Sequence, residues 1–221
     1  MPRSAQVILE PRKSPVQARS AASVSAILEA TVQVLLDVGK ERLTTTRVAQ
    51  RAGVSVGTLY QYFPNKSSLL QAALQNHLES VAEALEQVCR KERTSPLPQL
   101  VTSLVDTFLE AKMKDLKTSI ALYSVSSDVD GLRIAREIGG RLNKTIASAL
   151  ASAREPLRKD PQLIATLIQG AMAGVSRRLL ESLSPEKHYL PLKEELGFMI
   201  RAYVVASSLE RPNSNPSTPS D

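Results

Sequence analysis

Between Leu43 and Lys66 the chain reads LTTTRVAQRAGVSVGTLYQYFPNK, an order of residues that few backbone arrangements suit. Thr44 and Ser55 each stand where a hydroxyl can accept from the backbone of an opening helix, so helices are expected over 44–52 and 55–62. Gly53 supplies the conformational freedom of a tight reversal between them, and Pro64-Asn65 stops the second helix and starts another. Two short helices about such a turn make a helix-turn-helix, whose second helix can lie in the major groove of duplex DNA. Val48, Ala49, Ala52, Val54 and Leu59 are the small and apolar groups that pack the corner, on a surface offered by Leu28, Val34 and Leu35. Val56, Gly57, Thr58, Tyr60, Gln61 and Tyr62 are then left facing outward or toward the helix ends. A glycine in an exposed first turn costs a helix about 1 kcal/mol relative to alanine. Either a side chain at 57 would strike a groove wall, or the position tolerates glycine near an N-terminus.

The distribution of charge agrees with such a partner. Residues 1–70 carry nine Lys/Arg against four Asp/Glu, whereas the rest of the chain is nearly balanced, within a total of +6. A phosphate-binding surface needs that excess where the helix-turn-helix lies. Cys89 stands alone, which excludes an internal disulfide and a Cys-rich metal site. His77 and His188 lack acidic or cysteine partners at metal-ligand spacing, and neither a Gly-rich phosphate loop nor a nucleophile elbow occurs. An enzyme, a metal and a cofactor are therefore not expected. We read no apolar run of membrane-spanning length and no leader pattern, so a cytoplasmic protein without membrane contact is expected.

The remaining chain reads as helix throughout. Residues 1–18 mix three prolines with scattered charge and read as a flexible arm; a first helix is expected from Ser20, ending at Gly39. Beyond the motif, helices are expected over 66–92, 97–112, 116–127, 132–153, 161–183 and 191–209, with Gly139-Gly140 kinking or ending one of them. Val, Thr and Ile never alternate strictly, so no strand is expected. The Ser/Pro/Asn-rich end, 211–221, reads as a disordered tail.

GVSVGTLYQYFPNKSSLL, preceded by TTRVAQRAG, resembles the DNA-binding domain of the TetR family of transcriptional regulators. The likeness runs from about Arg19 to Leu74, and its most specific part is T-L-Y-x-Y-F-x-N-K directly before a long helix. It implies an all-α fold: a three-helix DNA-binding domain over 19–65, then a larger helical effector-binding and dimerisation domain over 66–210. It also implies roles. Thr45, Thr46 and Arg47 would approach phosphates, with Arg47 near a base edge, while Ser55, Val56, Gly57 and Thr58 open the recognition helix. Tyr60 and Tyr62 would touch phosphate or a thymine methyl, Gln61 an adenine edge, and Lys66 a phosphate at the positive end of its helix.

A homodimer is expected, because one helix-turn-helix buries little surface and two read a palindromic operator with half-sites about 34–36 Å apart. The segment 161–183 offers a surface, with Gly170 and Gly174 four apart beside Ile164, Leu167, Ile168, Ala171 and Val175; Leu196, Met199, Ile200 and Tyr203 add a second helix. The competing reading makes both helices internal core. The family implies a small-molecule effector of unknown identity, for which His77, Phe108, Met113, Tyr123 and Met172 are candidate lining residues unless they are ordinary core or surface. The alternative to a ligand-responsive regulator is an architectural or effector-independent DNA-binding protein, which leaves over half the chain without a purpose. Arg90 and Lys91 beside Cys89 leave open a redox-sensing thiol, against a half-buried packing residue.

Overall fold

A computed structural model describes residues 15–208, with side chains described from Ser20 onward. The arm and tail expected at the two ends fall largely outside the described residues. Nine α-helices and one 3-10 turn make up the described chain. They are α1 Pro15–Arg42, α2 Thr45–Ala52, α3 Val56–Tyr62, α4 Lys66–Lys91, α5 Leu97–Lys114, α6 Leu116–Val125, α7 Gly131–Ala151, α8 Pro161–Leu180 and α9 Pro185–Ala206; the 3-10 turn is Ser126–Asp128. Among the described residues no strand forms, and a single antiparallel bridge joins Leu157 to Ser208. The chain divides into two compact units between Ala73 and Leu74, inside α4 rather than at its start.

In the first unit, α1 presents Ile27, Ala30, Thr31, Val34 and Leu35 to the interior, with Leu28 only half-buried. Thr31 satisfies its buried hydroxyl by donating to the Ile27 carbonyl at 2.7 Å. The stretch Ser20–Arg42 has a mean hydropathy of 1.5 over its most apolar window and is long enough to cross a membrane, contrary to the expectation of no such run. A third of that window is buried, including the apolar stripe of Ile27, Ala30, Val34 and Leu35, and α2 packs on this helix. The helix also begins at Pro15 rather than Ser20; a proline in a first helical turn loses no backbone bond and has its φ already set.

The reversal between α2 and α3 is built from caps. Thr44 accepts from Arg47 N–H at 3.3 Å, and Ser55 accepts from Thr58 N–H at 2.9 Å. Gly53 is left-handed at φ 67°, and the amide of Val54 reaches back to the Ala49 carbonyl at 3.0 Å, closing the end of α2. Asn65 and Ser68 then exchange bonds reciprocally across the first turn of α4, at 2.9 and 3.2 Å.

The second unit is an assembly of α5 to α9 with the greater part of α4. The centre of α5 supplies much of its core through Leu97, Leu100, Val101, Leu104, Val105 and Leu109. Pro96 offers α5 no side-chain cap, and Glu155, from the loop after α7, accepts the Leu97 amide instead at 2.8 Å. Several sequence-based boundaries move. Helix α7 runs unbroken through Gly139-Gly140, whose helical dihedrals need no kink. Helix α8 stops at Leu180, leaving Leu183 fully exposed in a turn. Helix α9 begins at Pro185 and carries Pro191 inside it, within its first two turns. The segment Ser126–Ser127 is 3-10 rather than α, and Gly131 is required there, since a Cβ would lie 2.6 Å from the Ser126 carbonyl oxygen.

Two glycine substitutions separate backbone need from tolerance. Gly53→Ala should destabilise the protein by about 1 kcal/mol, because alanine pays for a left-handed backbone. Gly140→Ala, in mid-helix with open space around the new methyl, should stabilise it by up to about 1 kcal/mol. Urea melts monitored by circular dichroism read both signs.

Candidate functional site

The outer face of α3 is assembled around one buried residue. Leu59 is fully buried and Phe63 nearly so, while Val56, Gly57, Tyr60 and Gln61 are exposed and Thr58 and Tyr62 are half-buried. Tyr60 shares a 3.0 Å hydrogen bond with Thr45, tying the start of α2 to the middle of α3. Thr58 is engaged with Ser55 through both backbone and hydroxyl, the latter at 2.8 Å. Gly57 has no internal reason to be glycine: its φ is negative, and a Cβ would meet only Ser55 Oγ at 3.8 Å. Thr46 is exposed at the start of α2.

The cations of this unit are partly committed. Arg47 is exposed and donates one Nη to the Arg42 carbonyl at the end of α1, at 2.8 Å. Arg51 pairs with Asp37 at 2.6 Å. Lys66 is half-buried and its ammonium donates to the Lys40 carbonyl, so the residue expected to meet a phosphate already stitches the end of α1 to the start of α4. An ammonium has three protons, and one accepted bond leaves donors for an incoming anion.

On α8 and α9 the sequence-based surface needs correction. Ile164, Ile168, Leu196 and Ile200 are buried within the protomer, 0–3% exposed, and belong to its own core. Ala171, Val175 and Tyr203 are half-buried. Leu167 and Met199 remain outside, joined by Leu163, Phe198 and Val205, each 49–63% exposed. Leu163, Leu167, Gly170 and Gly174 recur at steps of four, three and four along α8, which places them on one stripe. A Cβ at either glycine meets nothing within 4 Å. The true signal was phase: of the two apolar stripes on α8, the one containing both glycines is the one left uncovered.

The second unit holds two adjoining pockets, both open to solvent, of about 360 and 520 Å³ that share Leu78, Lys112, Tyr123, Ala135, Arg177 and Leu180 as walls. Phe108 and Met172 line the smaller, His77 the larger, and Tyr123 both. Met113 does not belong with them. It lines a separate groove with Tyr189, because in an α-helix the residue after Lys112 turns about 100° away from it. Gln169 and Ser176 add the polar groups of the smaller cavity and were not foreseen.

Lys112 is the other residue that sequence reading missed. It follows Val101, Val105 and Phe108 at helical steps, so it sits on the apolar face of α5, although a lysine near a helix end reads as solvated. Burial lowers its pKa to about 8. The charged and titratable groups around it are accounted for. Burial, and then Lys112 itself, lowers His77 to about 4, so His77 is neutral, with Nε2 3.3 Å from Ser119 Oγ. Asp115 is held as a carboxylate by the Thr118 hydroxyl and amide. Asp130 pairs with Arg133 at 2.7 Å. Glu181 accepts from both Tyr123 (2.7 Å) and Arg177 (2.9 Å). Cys89 is buried, and burial followed by Glu86 pushes its thiol up to about 11, so it is a protonated packing residue at neutral pH. Arg90 opposes that shift only weakly.

An ammonium whose folded pKa lies below its unfolded value loses stability while it stays charged. Between pH 8 and 10.5 the unfolded chain holds the proton that the folded chain has released, so that cost fades as pH rises. Lys112→Met should therefore stabilise the protein at pH 7 by up to about 3 kcal/mol. Urea melts at pH 7 and pH 10.5 should show the gain shrinking; a loss at pH 7 would mean that Lys112 has a carboxylate partner.

Comparison with known proteins follows the same division. A sequence model of bacterial regulatory proteins of the tetR family matches residues 27–73, and one of the tetracyclin repressor-like C-terminal domain matches residues 96–203. Nucleoid occlusion factor SlmA of Haemophilus ducreyi is 31% identical over 120 residues, covering 52% of this chain and 58% of that protein. The HTH-type transcriptional regulator BetI of Burkholderia ambifaria is 29% identical over 160 residues, covering 67% and 81%. The chain spans 58% of the length of the first curated relatives it matches. Among solved structures, a TetR-family transcriptional regulator from Mesorhizobium loti superposes with a TM-score of 0.72 at 18% identity, covering 86% of this chain and 99% of that one. SmeT, the repressor of the Stenotrophomonas maltophilia multidrug efflux pump SmeDEF, gives 0.61 at 21%, covering 90% and 96%. At such identities these structures speak for the fold.

Proposed function

The chain belongs to the TetR family of DNA-binding transcription regulators, and on that footing we propose that it works as a cytoplasmic, homodimeric, ligand-responsive repressor of a near-palindromic operator. The observation that supports DNA binding most is the first turn of α3. Val56 and Gly57 are exposed there, with Gln61 exposed a turn later, on a helix fixed from behind by Leu59, and the glycine serves no internal purpose. A missing side chain at that point lets a groove wall approach the backbone. Gln61 then reads a base edge and Val56 a thymine methyl, while Ser55, Thr58, Tyr60 and Tyr62 meet the backbone and sugar edges. Thr45, Thr46 and Arg47 hold phosphates from the start of α2, and Lys66 adds its remaining donors.

Dimerisation is the reading that suits the stripe on α8. Two glycines in one helix cost about 1 kcal/mol each against alanine, which close approach of a second helix offsets. Leu163, Leu167, Phe198 and Met199 give that approach an apolar border. Effector response suits the cavities, whose volumes lie in the range of small-molecule sites. A ligand acts as a switch only if it prefers one of two arrangements of the protein, by several kcal/mol for a decisive change. The repressive sign is what the family resemblance implies.

A second reading is an effector-independent DNA binder, and one finding favours it: a 31% identical relative is named a nucleoid occlusion factor. Salt titration separates the two. A sequence-specific regulator keeps a large affinity gap between operator and random duplex at physiological salt, whereas an architectural binder shows mainly the counterion-release slope.

At residue level, Gly57→Leu, Tyr62→Ala and Lys66→Ala should each weaken operator binding at least tenfold in a gel-shift assay, with the dimer intact by light scattering. Gly174→Leu should instead dissociate the dimer. Parental gel shifts from Gly57→Leu and Tyr62→Ala would take α3 out of the groove.

A further inference from the structure

We propose that the paired cavity of the second unit takes an amphiphile with an aliphatic body and a single carboxylate, whose head group pairs with the ammonium of Lys112. The inference rests on the reading of that cavity as the effector site, and it adds the chemical class of the occupant.

Three observations lead to it. Lys112 is a half-buried wall of both adjoining cavities, which puts this residue where the two meet. Its neighbours are already satisfied: Arg177 and Tyr123 by Glu181, Asp130 by Arg133, Asp115 by Thr118, and His77 is neutral beside Ser119. Among the described residues no carboxylate pairs with Lys112. The lowered proton affinity of its amine is what such desolvation without a counter-ion produces. A half-buried cation is stabilised when something of opposite charge completes it, and no carboxylate of the fold does so here.

The rest of the wall chooses among anions. Val81, Leu85, Ile138, Leu142, Met172 and Leu180 are aliphatic and surround the smaller cavity, which suits an alkyl body. One uncommitted ammonium balances one negative charge. A phosphorylated or polyanionic ligand would bring charge that nothing here neutralises, and phosphate recognition favours the forked donors of an unpaired arginine. A cationic amphiphile would meet Lys112 as a like charge. A neutral one would fill the apolar space and leave the ammonium as it is.

Calorimetric titration of the full chain at pH 7 with decanoate, decanol and decyltrimethylammonium tests this, on the parent and on Lys112→Met and Lys112→Arg. We expect decanoate to bind at least tenfold more tightly than decanol, and the cation not at all. Lys112→Met should lose at least tenfold for decanoate with decanol unchanged, and Lys112→Arg should keep most of the preference. Melting temperatures of both variants without ligand, equal to or above the parent's, show that they fold. Equal binding of decanoate and decanol to the parent, or undiminished decanoate binding by Lys112→Met, overturns the carboxylate assignment while the cavity stays an effector site. Absence of binding by every amphiphile overturns both.

Discussion

A helix of seven residues does not persist in water by itself, since nucleation costs more than so few bonds return. Helix α3 exists because other parts of the chain hold it. Ser55 closes its N-terminus, Phe63 donates back to Leu59 at its other end, and Leu59 is sunk into the interior. Thr45 grips Tyr60 from α2, and α2 is itself stopped by the left-handed Gly53. Every group that would face a nucleic acid depends on this scaffolding. Val56, Gly57 and Gln61, exposed on the outer face, stand apart from these ties, which leaves them available for recognition.

The same local chemistry explains what was legible beforehand. Thr44, Gly53 and Ser55 act through bonds to residues at most five positions away, so their roles could be read directly from the string of letters. The number of helices, the absence of strands in the described residues and the burial of Leu59 follow from the same kind of signal. What failed was phase and company. Ile164 and Ile168 are as apolar as Leu163 and Leu167, and only the packing of α8 on its neighbours decides which pair is covered. Pro191 looked like a helix start because its missing amide is harmless in a first turn; the true start lies at Pro185, which uses the same property.

The cavity residues were the hardest to foresee. Phe108, Tyr123 and Met172 stand out by type, and His77 by rarity, yet Met113 shares those qualifications and lines another groove. Lys112 lacked them and lines both cavities. A cation on the apolar face of a helix violates local consistency, and such violations cluster where a protein does something other than hold itself together. The cost it imposes on folding and its position at the cavity junction are two aspects of one placement.

The solitary thiol of Cys89 has a practical consequence. It lies nearly buried on α4 at the side of a shallow groove and is kept protonated by its surroundings, so an alkylating reagent reacts with it slowly until that stretch of helix opens. With no second sulfhydryl to confuse the signal, the rate of alkylation becomes a native stopwatch for breathing in the second unit. An occupant that tightens this unit slows the stopwatch, whatever its chemical identity.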